Sequence, residues 1–436
     1  MSNDPRVVIL GCGFAGLSAA KALAGKAVRV SVVDRSNHHL FQPLLYQVAT
    51  AGLNTGDIAA PIRRILRKQR NAEVLLADVV TVDVDGRRVI LADGVLPYEY
   101  LIVAAGASHS YFGHDDWEAV APGLKSLQDA LEIRRRVLLA FEVAERETDE
   151  STRRQWMTFV VVGAGATGTE LAGTLTEVAA KTLASDFRHI DPKQARVILL
   201  EGGPKVLPSY GGDLPEAARR QLQKLGVEVR TDAKVTGVDA EGVSLGEERI
   251  EARTVLWAAG VAGSPLGRAL GAPLDRAGRV MVEPDLTIPG HPEVFVVGDL
   301  AHVEQAGGKL VPGVAPAAMQ GGTYAAKSIL RRLKGRPVAP FAYWDKGSLA
   351  TIGRKAGVAE IGRLRFSGFP AWLAWLCIHL FFLVGFRNRI LVMFQWAWSY
   401  LSYDRGARLI TARADGPIAR GLTSAVLPPA SIVEVG

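Results

Sequence analysis

The strongest constraint on this chain is a unit that occurs twice: an apolar strand, a glycine-rich turn, a helix, then a second apolar strand ending in an acid. In the first copy Arg6-Val7-Val8-Ile9-Leu10 runs into Gly11-Cys12-Gly13-Phe14-Ala15-Gly16, followed by a helical stretch and the strand that ends at Asp34. Each part has a physical task. Gly11 permits the tight turn, Gly13 lets the backbone approach a pyrophosphate, and Gly16 lets the helix pack closely on the strand. Phe14 and Ala15 open the helix, whose first N–H groups are free to meet phosphate oxygens. Asp34, 18 residues past Gly16 and followed by Arg35, is placed to accept from ribose hydroxyls.

The second copy begins at Thr158-Phe159-Val160-Val161-Val162, turns through Gly163-Ala164-Gly165-Ala166-Thr167-Gly168, and ends at Glu201. Its helix-to-strand interval is longer, which predicts an inserted loop within 181–194. Glu201 can accept from the ribose 2′-OH of NAD, and its charge would repel the 2′-phosphate of NADP. A further apolar strand ends at Gly298-Asp299, beyond both units. Leu101-Ile102-Val103-Ala104-Ala105-Gly106 and Val255-Leu256-Trp257-Ala258-Ala259-Gly260 read as the strand-to-glycine exits of the two domains. As an ordered set these predict an α/β fold with two Rossmann-like dinucleotide-binding domains, FAD in the first and NADH in the second. The expected division is 1–120 and 265–335 for the flavin domain, 121–264 for the inserted nicotinamide domain, and 336–436 for a C-terminal region.

Composition matters for that last region. The chain has 436 residues, 22% of them charged, and a net charge of +7. Such a chain is neither disordered nor a polytopic membrane protein. Of its 31 aromatic residues, 12 lie between Phe366 and Tyr403, and no acid occurs between Glu360 and Asp404. Ala371 to Phe386 is an uncharged run, ended by Arg387-Asn388-Arg389 and followed by a second apolar run. The first run is short of the roughly 20 residues needed to span a bilayer. Two interfacial helices over about 369–403 are therefore expected, amphipathic and lying on the membrane, with Trp372, Trp375, Trp396 and Trp398 at the headgroups. A tail of this kind reads as removable without loss of flavin. The N-terminus shows no targeting segment, and a reducing compartment is expected. The basic residues form no nucleic-acid recognition module, so nucleic acid is not an expected partner.

At this point the sequence resembles the type II NADH dehydrogenases, single-subunit NADH:quinone oxidoreductases bound to one membrane face. The resemblance rests on residues 34–49 (Asp34-Arg35-Ser36-Asn37-His38-His39 through Tyr46-Gln47-Val48-Ala49), on Val311 to Gly321, on Leu349 to Arg354, and on the Trp-rich tail. It implies non-covalent FAD, NADH as substrate, a quinone acceptor, no proton pumping, and a peripheral position on the cytoplasmic face. Many members form homodimers, although no heptad pattern supports one here. By the same resemblance Ala315 opens the helix beside the flavin. Many relatives carry Ala-Gln-x-Ala where this chain has Ala315-Pro316-Ala317-Ala318, so Pro316 cannot supply the usual amide to the quinone pocket. Gln320, Tyr46 and Gln47 are the remaining polar candidates there.

Glu170, two residues past Gly168, matches a family glutamate near nicotinamide and flavin that is implicated in substrate contact or proton handling. An acid in the first turn would also be favoured by the helix dipole alone. Lys346 resembles a residue near the flavin pyrimidine, where a cation would stabilise an anionic reduced ring. His38 and His39 are neighbours on an extended segment and point to opposite sides, so no metal site is expected. Cys12 and Cys377 form no dithiol by spacing, which argues against disulfide-reductase and sulfide chemistry. A reductase of a soluble electron carrier and a membrane-attached redox sensor are the competing readings. The aromatic tail argues against the first, and Pro316 keeps the second open.

Overall fold

The computed structural model describes residues 4–305, 307–402 and 406–410. Two parallel sheets grow from the two repeated units. In the first, Arg6–Leu10 lies between Arg29–Asp34 and Tyr100–Val103, in register at Ile9↔Val32 and Ile9↔Ile102. Ala72–Leu76 extends one side and His291–Val296 the other, both parallel, and Thr287–Ile288 closes the edge antiparallel. The strand of Val294 thus returns to the first domain and delivers Gly298 and Asp299 beside the first glycine turn, as the order of the motifs predicts. In the second sheet Thr158–Val162 lies between Arg196–Leu200 and Thr254–Trp257, with Val227–Arg230 outside. These central strands are almost fully buried, which is why they read as unbroken apolar runs rather than alternating ones.

The chain passes between the two sheets through a pair of short linkers. Ala107–His109 runs antiparallel to Val261–Gly263, so exit and return are hydrogen-bonded to each other. Tyr111, Trp117 and Ala121 already pack with Val160, Val162 and Trp257 of the second sheet. The crossing therefore lies ahead of the expected boundary at 121, because the aromatic side chains after His109 find their apolar partners in the second domain.

The C-terminal region begins with an antiparallel sheet, Ser348–Thr351, Gly357–Ile361 and Leu364–Ser367. The helices Phe369–Phe382 and Phe386–Ser402 follow. Their break falls at Gly385, whose φ of +94° suits glycine, and not at the Arg387-Asn388-Arg389 segment expected to mark it. The first helix is not amphipathic: it carries no formal charge and is apolar on every side. Ala371 and Trp375 on one side, with Leu383 and Val392 beyond, are buried. Trp375, Leu383 and Val392 join the core that also holds Leu45 and Tyr46 of the flavin domain and Leu171 and Leu175 of the nicotinamide domain. The tail is thus part of the protein's interior and is not a removable appendage. Arg134 donates to the Ala407 carbonyl at 3.1 Å, and Arg408 pairs with Asp186, tying the end of the described tail to the second domain. The expected end of the tail near 403 lies outside the described residues.

Candidate active site: two dinucleotide cradles and an aromatic-roofed cavity

The three glycines of each fingerprint separate by what surrounds them. A Cβ on Gly11 would fall 2.5 Å from the Ala104 carbonyl oxygen, and one on Gly16 would fall 1.8 Å from the Gly11 carbonyl oxygen. A Cβ on Gly13 would meet nothing within 4 Å. The second unit repeats this: Gly163 and Gly168 are blocked by backbone at 2.7 and 1.9 Å, while Gly165 faces open space. The outer glycines are required by the protein's own packing. The middle ones face outward, into the space that a pyrophosphate at the helix N-terminus takes. Both cradles therefore fit a dinucleotide.

The acids that end the second strands are held alike. Asp34 accepts from the N–H groups of Cys12 at 2.6 Å and Ser36 at 2.7 Å. Glu201 accepts from those of Ala164 at 2.8 Å and Gly203 at 2.9 Å. Each carboxylate is fixed beside its glycine turn and retains lone pairs for ribose hydroxyls. Arg35 is exposed next to Asp34. Around the first cradle, Ala15 lies against Gly298, and the Ala15 carbonyl stands where a Cβ on Gly322 would be, at 2.0 Å. Helix Phe14–Ala22 is thereby pressed onto helix Ala315–Arg332, and Asp299 lies beside Gly313. Ala105 and Gly106 end the flavin-side exit strand, and Ala259 and Gly260 end the other; both glycines have positive φ.

Cys12 and His39 lie beneath the first cradle. Burial first, then Asp34, pushes the Cys12 thiol up to about 12, so it stays protonated and unreactive. Cys377 is exposed. His39 is turned inward, its Nδ1 2.8 Å from the Cys12 carbonyl, and burial lowers its pKa, while His38 is half-exposed.

Glu170 is the fifth residue of helix Ala166–Glu177, whose first turn carries no acid. Its placement is therefore not a helix-dipole preference. It is 8% exposed, and burial raises its pKa from 4.5 to about 8, against the opposing pull of the Thr351 N–H and the Trp375 indole. The Thr351 N–H donates to Oε1 at 3.3 Å. Glu170 thus holds its proton at neutral pH.

Thr351 and Trp375 also line a cavity of about 80 Å³, together with Tyr46, Gln47, Trp372, Leu376 and Trp396. Thr174, Glu177, Gly353 and Arg354 complete much of its wall. The Trp396 indole donates to Gln47 Oε1 at 2.7 Å, and Gln47 Nε2 donates to the Tyr46 hydroxyl at 3.1 Å. Three of the four tryptophans assigned to the headgroups thus face the protein: Trp375 is 3% exposed, Trp396 bonds to Gln47, and Trp372 lines the cavity. Trp398 alone of the four is well exposed, at 64%. Sequence composition marked these rings as an aromatic cluster, but only the folded helix assigns each one a side.

The remaining candidates lie elsewhere. Pro316 occupies the first turn of its helix, a position that suits its fixed φ and missing N–H. Gln320 is engaged with the backbone of Trp344 through both of its side-chain atoms, at 2.9 and 3.0 Å, and is not part of the cavity wall. Lys346 is exposed and rests over the rings of Trp344 at 5.5 Å and Phe382 at 5.9 Å. The structure groups Tyr46 and Gln47 near Glu170 and leaves Gln320 and Lys346 outside the cavity. Thr351, Glu177, Arg354, Trp375 and Trp396 were not among the site residues expected from sequence; the Leu349–Arg354 resemblance pointed toward Thr351 and Arg354, the Trp-rich tail toward Trp375 and Trp396, and nothing toward Glu177.

The two cradles and the return of the Asp299 strand define the class: pyridine nucleotide-disulphide oxidoreductases, whose sequence model matches residues 5–322. The NDH2 C-terminal domain matches residues 345–403. The chain is 51% identical over 426 residues to the type II NADH:quinone oxidoreductase NdhA of Mycobacterium tuberculosis, covering 94% of this chain and 90% of that protein. It is 50% identical over 422 residues to Ndh of the same organism, covering 93% and 90%. It is also similar in fold to the solved NDH2 of Plasmodium falciparum in complex with NADH, with a TM-score of 0.85 at 18% identity, covering 94% of this chain and all of that one. The chain belongs to the type II NADH:quinone oxidoreductases.

Proposed function

We propose that this chain oxidises NADH and reduces a quinone at a membrane surface, with non-covalent FAD between the two substrates and no proton pumping. The observation that carries the reading is the cavity walled by Thr351 and Trp375, the two residues that face Glu170, and bounded by the aromatic helices. It supports an acceptor site between the second dinucleotide helix and the exposed apolar side chains of the C-terminal helices.

FAD, when bound, supplies the redox chemistry, accepting hydride from NADH and yielding electrons to the acceptor. The open side of Gly13 and the N-terminus of helix Phe14–Ala22 would hold its pyrophosphate, Asp34 its ribose, and Asp299 its ribityl chain. Gly165 and Glu201 would do the same for the pyrophosphate and ribose of NADH. Glu170, protonated at neutral pH, is a proton donor beside the acceptor cavity. Tyr46, Trp372, Trp375 and Leu376 offer apolar walls to a quinone ring, and the Gln47 amide offers a polar partner in place of the glutamine that Pro316 replaces. We place the nicotinamide domain between the paired linkers, at 110–260.

No described helix is long and apolar enough to cross a membrane. Phe369, Leu373, Phe381, Met393, Phe394 and Trp398 are nevertheless exposed on the two C-terminal helices. An uncharged helix with one side in the core needs a second apolar medium for the other. We propose that this surface lies in the interface of the bilayer, with Lys346 and Arg389 toward the headgroups, and that it faces the cytoplasm, where charged NADH is at hand. Electrostatic attraction of the basic rim to anionic lipid supports the same orientation.

The test is anaerobic. NADH added to the purified yellow protein should bleach the visible flavin absorption, and a quinone analogue added next should restore it within a turnover. Bleaching with no reoxidation would sink quinone reduction and favour a redox sensor.

A further inference from the structure

The turn after the first linker carries a feature that the flavin and quinone sites leave unexplained. Phe112 has φ of +54° and Gly113 φ of +94°, and the His114 N–H closes the turn on the Tyr111 carbonyl at 3.1 Å. Two positive φ values in succession belong to the mirror-image turns, where asparagine or glycine is the favoured first central residue. A phenylalanine there is strained, and strain of this kind persists only where the surroundings impose it. The surroundings do so here. The Tyr111 ring stacks on Trp257 at 5.2 Å, and the Trp257 indole donates to the Ser110 carbonyl at 2.9 Å. The result is a phenylalanine 68% exposed, with the tip of its ring against Gly260: a Cβ at Gly260 would lie 2.6 Å from Phe112 Cζ. Burial of its own ring does not account for so exposed a position.

The sheet order tells what that ring faces. Thr158–Val162 leads into the pyrophosphate turn at Gly165, with Arg196–Leu200 and Glu201 on one side and Thr254–Trp257 and Gly260 on the other. Ligands of such sheets lie across the carboxyl ends of the strands. With the adenosine ribose at Glu201 and the pyrophosphate at Gly165, the second half of the dinucleotide falls on the Gly260 side. We infer that Phe112 is a substrate-positioning residue, its exposed ring forming the wall against which the nicotinamide-ribose half of NADH lies over Gly260. The inference rests on the reading of the second cradle as the NADH site. The turn belongs to the crossing between the two domains, so the same ring would hold the nicotinamide half at the side that faces the flavin domain.

The test uses the FAD-loaded full-length protein and two variants that accept the backbone of the turn, Phe112→Asn and Phe112→Gly. Both relieve a strained φ, so a merely structural Phe112 predicts unchanged or improved thermal stability and unchanged kinetics. A positioning role predicts that KM for NADH rises about five-fold or more while FAD content and KM for the quinone analogue stay as in the wild type. Phe112→Tyr, which keeps the ring, should restore KM. Wild-type protein that NADH does not reduce would overturn the reading of the second cradle. Wild-type protein that is reduced, with KM for NADH in both variants within about two-fold of it, would overturn the role of Phe112 alone. If one variant loses its FAD or its folded near-ultraviolet spectrum, the other decides on the same criteria, and loss in both would overturn the claim that the ring acts on substrate and not on the fold.

Discussion

At the scale of single residues, the glycines of the two fingerprints make separable demands. Gly16→Ala places a methyl group 1.8 Å from a backbone carbonyl that cannot move without the turn, so it should abolish folding or reduce soluble yield sharply. Gly13→Ala and Gly165→Ala meet no protein atom. They should fold with Tm near the wild type and lose, respectively, FAD retention and affinity for NADH by an order of magnitude, about 1.4 kcal/mol or more. Flavin content after gel filtration and KM for NADH check the two outcomes. Glu170 makes a different prediction. An acid whose pKa is raised on folding binds more protons in the native state than in the unfolded one. Stability is therefore lost as pH rises from 4.5 through about 8. Glu170→Gln should flatten that fall, a difference on the order of a few kcal/mol, so the variant should out-melt the wild type in alkaline buffer. Scanning Tm against pH in both proteins reads it, and parallel curves would refute the raised pKa.

At the scale of elements, helix Phe369–Phe382 serves two sides at once. Its inner side contributes Trp375, stacked on His379 at 4.2 Å and tilted against Tyr46 at 6.4 Å. Burial drops the His379 pKa to about 4, so this stack is uncharged at neutral pH. Trp375→Ala should cost about 3–5 kcal/mol, as large aromatic truncations in a packed core do. It should also impair quinone reduction more than NADH-dependent bleaching, since it removes a wall of the proposed acceptor cavity and none of the proposed NADH cradle. Chemical denaturation and stopped-flow reduction separate these effects. The same element shows why deleting the tail is a poor probe of membrane binding: it would open a core cluster shared with both nucleotide-binding domains.

At the scale of the whole molecule, large apolar side chains stand exposed on both C-terminal helices. Phe381 is 68% and Phe394 65% exposed, on different helices. Replacing both with serine removes little internal packing but takes away two rings that a bilayer would bury, each contributing about 1.5–3 kcal/mol. Binding of the full chain to anionic vesicles should weaken at least ten-fold, while turnover with a water-soluble quinone analogue persists. Retained vesicle binding would remove these helices as the membrane surface. Raising the salt concentration should weaken wild-type binding only partly, since the screened share comes from the basic rim and the apolar share does not respond in that way.

The two fingerprints are legible in the sequence because they are local: turn, cradle and strand-end acid lie within one short stretch, and backbone sterics alone dictate where glycine must stand. The return of the Asp299 strand was legible because motif order dictates it. Which side of the aromatic helix faces inward was not. That helix is apolar all round, so no periodicity distinguishes Trp375 from Leu373 or Phe381, and the choice is made by packing against Tyr46 and into the core shared with Leu175, in two other domains. The same holds for Gln320, which the sequence offers as a free amide and the fold commits to Trp344, and for Phe112, ordinary in sequence and strained only in its turn. The sequence by itself determined the class of fold and the cofactor cradles, through contacts between near neighbours. The tertiary structure decided the aromatic-roofed cavity and the sidedness of the tail, because those are contacts between segments far apart in the chain, whose partners no local pattern records.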